Sequence, residues 1–146
     1  MTHLLDVNVL IALGDEDHPH AELAMRFFED NAVTDGWATC AITENGFLRI
    51  VGNSKYPNGP GSPNEARRVL SSFRTAPGHQ FWRDELSLCD SVVFPTLPGN
   101  QQLTDAYLLG LAAKRGGKLV TFDRHIDTSL VKGGSEALFI LGGGEA

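Results

Sequence analysis

The sequence predicts an α/β fold built on a central parallel sheet of about five strands. Two observations carry this expectation. Short apolar runs at Thr2–Asp6, Trp37–Ala41, Ser91–Phe94, Lys118–Phe122 and Ala137–Leu141 alternate with stretches of helical spacing. Strands that alternate with helices imply a parallel sheet covered on both faces. Acidic residues also stand at the ends of two of these runs, Asp6 and Asp123, and in such sheets ligands collect at the carboxyl ends of the strands.

The first strand, Thr2–Asp6, is followed by a brief helix at Asn8–Leu13 and a polar connection at Asp15–His20. Pro19 suits a first helical position, and Leu23, Phe27 and Phe28 give His20–Asn31 the spacing of a helix. Gly36 breaks the chain before the second strand. Thr43–Val51 reads as a helix with Phe47, Leu48 and Val51 inward. Asn53–Pro63 is rich in Gly and Pro, which marks a surface loop. Ser62 before Pro63, with Glu65 three residues on, is a capped helix start. That helix runs to about Thr75, with Val69, Leu70 and Phe73 inward, and Pro77-Gly78 ends it. Ser91–Phe94 is the expected third strand. Gln101–Arg115 is a strongly apolar helix stopped by Gly116-Gly117. Lys118–Phe122, a short helix and Ala137–Leu141 complete the order, and Gly142–Ala146 is expected to fray.

At 146 residues the chain has the length of one domain, expected over residues 1–141. No apolar run is long enough to span a bilayer, and the N-terminus carries no basic leader, so a cytoplasmic, soluble protein with no membrane contact is expected. Cys40 and Cys89 form neither a disulfide framework nor a zinc pattern and are read as buried free thiols. The net charge of −6 argues against a protein held on nucleic acid by its overall field. It does not exclude a nuclease, because metal-binding carboxylates lower the formal charge.

Asp6, Glu44, Asp105 and Asp123 each lie in or against apolar sequence, with Arg124 the one cation close by in the chain. Carboxylates are rarely buried unless paired or bound to a cation. Asp6 and Asp123 end strands, whereas Glu44 and Asp105 open helices that follow strands, so all four can face one crevice. Clustered carboxylates raise each other's pKa, and a divalent cation removes the conflict. Oxygen ligands without His or Cys favour Mg²⁺ or Mn²⁺ over zinc, and such a site suits phosphodiester hydrolysis. Asp6 and Asp105 are the expected principal ligands and Asp123 a further one. Glu44 is expected to hold or deprotonate the attacking water, or to bind a second ion. Asn8 is placed to orient Asp6 or a water, or to cap a helix, and Thr121 to hydrogen-bond a neighbouring carboxylate.

The segments Asp6-Val7-Asn8-Val9-Leu10, Thr43-Glu44, Leu103-Thr104-Asp105-Ala106-Tyr107-Leu108 and Val120-Thr121-Phe122-Asp123 together resemble the PIN domain, and more closely the VapC-type toxins of bacterial toxin–antitoxin pairs. The resemblance extends to about Leu141. It implies a three-layer α/β/α domain, a Mg²⁺- or Mn²⁺-dependent endoribonuclease acting on RNA, restraint by a cognate VapB-like antitoxin, and a homodimer. All four family acids have a match.

Other residues carry weaker signals. Arg124 and His125 flank the expected site and are candidate substrate contacts. Arg67, Arg68, Arg74 and Arg83 suit either phosphate contacts or a solvated face, and Asp127 a local cap. His18-Pro19-His20 lacks further zinc ligands and reads as an exposed helix entry. Trp37 reads as core, whereas Trp82 suits base stacking. Ile11, Leu13, Phe27 and Phe28 suit a partner groove or core packing equally. Three rival readings fit less well. An aspartyl-phosphate phosphatase would want an acid where Asn8 stands. A receiver module would want an acid and a lysine where Phe94-Pro95 and Leu141-Gly142 stand. A non-catalytic PIN-like scaffold would not need the four acids.

Overall fold

A computed structural model describes residues 1–142 of the chain, so the expected fraying of the tail lies, beyond Gly142, outside the described residues. Five strands, β1 (His3–Leu5), β2 (Trp37–Cys40), β3 (His79–Trp82), β4 (Lys118–Thr121) and β5 (Leu138–Ile140), form one sheet in the order β3-β2-β1-β4-β5. Every pairing is parallel. The helices are α1 (Val7–Gly14), α2 (Ala21–Phe27), the short α3 (Val33–Asp35), α4 (Ala41–Val51), α5 (Pro63–Phe73) and α6 (Leu103–Lys114).

The sheet separates two cores, because alternate residues of a strand point to opposite faces. Leu5, Trp37 and Val120 pack with α1, α2, α4 and α5 on one face. Leu4, Ala38 and Leu119 pack with α6, Phe94 and Val131 on the other. This is the three-layer α/β/α arrangement. Ala106 to Ala112 of α6 are all buried, so its apolar sequence on every side reflects a helix enclosed between the sheet and the loops. Among the described residues no helix is long and apolar enough to cross a membrane.

Three expectations need correction. The third strand is His79–Trp82, not Ser91–Phe94. His79-Gln80-Phe81-Trp82 lacks an apolar run because β3 is an edge strand with only Trp82 fully buried, yet it pairs residue for residue with Trp37–Cys40. Ser91–Phe94 is instead a turn, in which the Asp90 carboxylate accepts from the Val92 N–H (3.0 Å) and the Asp90 carbonyl from the Phe94 N–H (2.9 Å). The helix expected over His20–Asn31 ends at Phe27 and continues as a wider π-helical turn, Phe28–Ala32. Cys40 is a buried free thiol but Cys89 is exposed. The start of α5 matches expectation, with the Ser62 hydroxyl accepting from the Glu65 N–H at 3.2 Å and Pro63 in the first turn.

Candidate metal centre

Asp6 leaves the end of β1 and Asp123 follows the end of β4. These strands are neighbours in the middle of the sheet, so their carboxyl ends are necessarily close. Asp6 caps α1: its Oδ1 accepts from the Val7 N–H at 2.7 Å. Its Oδ2 accepts from the Thr121 hydroxyl at 2.7 Å. The same hydroxyl oxygen accepts from Asn8 Nδ2 and from the Asp123 N–H, both at 3.1 Å. Asn8 Oδ1 accepts in turn from the Phe122 N–H at 3.3 Å. Asn8 and Thr121 therefore do hold the carboxylate region together, and the cap of α1 is Asp6 rather than Asn8. Asp123 Oδ1 accepts from the His125 N–H at 2.8 Å.

Asp105 enters from the first turn of α6 on the other layer. Its pKa is pushed up to about 6, first by burial and then by the charges of Asp6 and Asp123. Asp6 is also raised, chiefly by burial and further by Asp123, against the opposing hydrogen bonds from Thr121 and Val7. Three carboxylates thus act on one another, and among the described residues none of them has a Lys, Arg or His partner. This uncompensated negative charge is the feature that a divalent cation fits. Among the described residues no three Asp, Glu, His or Cys side chains form a ready-made metal cage. Mg²⁺ does not demand one, since it keeps several waters and is held by one or two carboxylates with substrate oxygens.

Glu44 is placed differently. It follows β2, on the far side of β1 from β4, and its Oε2 accepts from the Thr39 hydroxyl at 2.6 Å and lies 3.5 Å from Arg74 Nη1. Thr39 also meets His79 Nε2 at 2.9 Å. His79 is held below the ordinary histidine range by burial and by Arg74, with Glu44 opposing. Glu44 does not figure among the charges acting on Asp6 or Asp105. The structure therefore brings together Asp6, Asp105 and Asp123 and holds Glu44 in a separate group with Thr39, His79 and Arg74. Arg74, distant in sequence, is the cation that reading along the chain missed. The misread third strand hid this group, since β3 carries His79 and its approach carries Arg74.

The remaining candidates divide clearly. Arg124 Nη2 donates to the Gly142 carbonyl at 3.2 Å, which draws it toward the end of β5. His125 is exposed and lines a cavity of about 240 Å³ together with Gln102, Asp105, Ala106, Ile126 and Leu130. Asp127 is a local cap, its Oδ1 accepting from the Ser129 N–H at 3.0 Å and the Ser129 hydroxyl at 2.6 Å. Trp82 is as buried as Trp37, so neither indole is free to stack on a base. Leu13, Phe27 and Phe28 are core, with Ile11 packed partly against it. His20 stacks on Phe122 with ring centroids 4.8 Å apart, which places the helix entry at the rim of the aspartate site. A larger cavity, about 680 Å³, lies elsewhere, lined by Met1, Gly117 and Glu136 near the amino end of β4; its size does not make it the reactive centre, since it holds none of the clustered aspartates.

Comparison with known proteins shows the family. A sequence profile described as the PIN domain matches residues 3–128. Ribonuclease VapC38 of Mycobacterium tuberculosis is 46% identical over 125 residues, covering 86% of this chain and 87% of that protein. Ribonuclease VapC44 of the same species is 42% identical over 138 residues, covering 93% and 96%. Among solved structures, a chain from the crystal structure of VapBC2 from Rickettsia felis bound to a DNA fragment from their promoter superposes with a TM-score of 0.54 at 13% identity, covering 86% of this chain and 90% of that one. That likeness supports the fold.

Proposed function

This chain belongs to the PIN-domain family and to its VapC ribonucleases, and from that premise we propose that it is a metal-dependent endoribonuclease toxin that hydrolyses RNA phosphodiester bonds. The observation that carries the reading is the convergence of Asp6, Asp105 and Asp123 with, among the described residues, no neutralising side chain. These three would hold Mg²⁺, with Mn²⁺ as a substitute. When bound, such an ion supplies activation of a water and stabilisation of charge on the phosphate and the leaving oxygen.

The chain's own residues do the rest. Thr121 and the N-terminus of α1 fix both oxygens of Asp6, so its orientation is set before any ligand arrives. Asn8 fixes Thr121. Glu44 is the proposed base that positions the attacking water and takes its proton. Thr39 and Arg74 fix Oε2 of Glu44, which leaves Oε1 to receive that proton. His125 lies beside Asp105 and is the better placed of the two candidate substrate contacts, since Arg124 is drawn to Gly142.

The proposal extends to a VapB-like antitoxin as the restraining partner, to a homodimer, and to the cytoplasm as the place of action. Co-expression with the product of the adjacent gene tests the antitoxin: failure to bind and to relieve toxicity sinks that part. The nuclease itself is tested by incubating total RNA with purified protein in Mg²⁺, Mn²⁺ or EDTA, beside Asp6→Asn and Asp105→Asn. Discrete metal-dependent fragments, lost in both variants, are expected. Equal cleavage by the variants, or no metal binding by a folded protein, points instead to a contaminant or to a non-catalytic PIN-like scaffold.

A further inference from the structure

We propose that the cavity beside Asp105 seats one unpaired nucleobase of the RNA, adjacent to the phosphate that the aspartates engage. The inference rests on the nuclease reading and adds to it a site of sequence selection. The cavity measures about 240 Å³, below the range usual for drug-sized ligands and suited to a single ring system. Buried Ala106 and half-buried Ile126 and Leu130 give it apolar lining, and exposed Gln102 and His125 give it polar groups. A nucleobase has the same division, with apolar faces and a hydrogen-bonding edge, and RNA is read mainly where its bases are unpaired and exposed.

The polar groups are available. The Gln102 amide and the His125 ring are exposed, and among the described residues neither side chain makes a hydrogen bond. An amide offers both a donor and an acceptor to a base edge. Asp127, which also lines the cavity, is already engaged by Ser129, so selection falls to Gln102 and His125. Asp105 forms part of the wall. A base seated there is therefore held next to the carboxylate cluster, where the chain must be cut.

The test is a nuclear magnetic resonance titration of isotope-labelled protein in EDTA with each of the four ribonucleosides in turn, which present the base without a phosphate to be repelled by the aspartates. At least one is expected to shift the Gln102 side-chain amide and the Ile126 and Leu130 backbone amides. Gln102→Leu and His125→Ala are expected to weaken that binding about tenfold, since a site built to hydrogen-bond a ligand loses affinity when the bond cannot form. Lys132→Ala, at the large cavity near the other end of β4, is expected to change nothing. In the presence of Mg²⁺, sequencing of fragment ends is expected to show a base preference beside the cut that both pocket variants flatten. The proposal is overturned if no ribonucleoside shifts these resonances, or if both variants bind like the wild type. Pocket shifts without any cleavage would keep the base site and sink the nuclease reading; cleavage without pocket shifts would do the reverse.

Discussion

Thr121 is fully buried, and its hydroxyl serves three partners at once, donating to Asp6 and accepting from Asn8 and the Asp123 backbone. Thr121→Val keeps the shape and removes all three bonds. Outer groups that orient a metal ligand change affinity or activity by about 10- to 100-fold, so a loss of that order is expected in both Mn²⁺ binding and RNA cleavage. Unchanged Mn²⁺ affinity would show that Asp6 needs no such support. Asp105 gives a prediction in pH. Its folded pKa of about 6 lies above the ordinary 3.8, so the folded protein holds the proton more tightly than the unfolded chain. The corresponding stability is present in full below about pH 4 and is lost as pH rises through about 6. Without metal, the melting temperature of the wild type relative to Asp105→Asn is expected to fall across that window. Mg²⁺ competes with the proton, so its stabilising effect is expected to grow over the same window. A wild-type-minus-variant difference that stays flat in EDTA sinks this account. At this scale the sequence was informative because an acid in apolar surroundings is anomalous wherever it occurs. The partners of Glu44 were not legible, since Thr39 and Arg74 become its neighbours only through folding.

Close packing between elements rests on small residues. A Cβ on Gly110 of α6 would lie 2.6 Å from the ring of Phe94, and one on Gly46 of α4 would lie 2.6 Å from Val7. Phe94 is the one fully buried side chain of the turn that was expected to be a strand, and Gly110 is what admits it. Gly110→Ala is expected to displace Phe94 and destabilise by about 1–3 kcal/mol, the usual effect of overpacking a filled core. Denaturant titration measures this. Adding Phe94→Leu should recover part of the loss, because the two side chains contest one space; strictly additive losses would remove the steric explanation. Helices α4 and α5 were legible from their period, α5 also from its Ser62 cap, and α6 from a long apolar run of helix formers stopped by Gly116-Gly117. β3 was not, because an edge strand with exposed Gln80 and Phe81 need not be apolar. Its identity comes from pairing with β2, which is a property of two segments rather than one. The apolar pattern at Ser91–Phe94 reflects one anchored ring, and a short run of that kind does not distinguish a strand from a turn.

For the whole molecule, the ribonuclease reading must be reconciled with a net charge of −6. A polyanion does not approach such a surface by long-range attraction, and two candidate cations are already engaged: Arg74 by Glu44 and Arg124 by the Gly142 carbonyl. Other arginines, such as Arg67, Arg68 and Arg83, are exposed on the surface. Bound divalent ions would supply much of the local positive charge instead, confined to the aspartate cluster. Few monovalent counterions are then released when RNA binds. For single strands the logarithm of the binding constant falls with the logarithm of salt concentration by about 0.7 for each phosphate neutralised. With two or three phosphates neutralised at the site, the expected slope is about −2. This is measured as binding of a short unpaired RNA to Glu44→Gln, which keeps the three aspartates, across a series of KCl concentrations at fixed Mg²⁺, with Arg67→Ala and Arg68→Ala as companions. A slope of about −2 that neither companion alters places recognition at the carboxylate site and its neighbouring cavity. A slope beyond about −4 that falls when either arginine is removed would show an extended basic track for the RNA, and the account of a site that binds through local cations and a base pocket would fail.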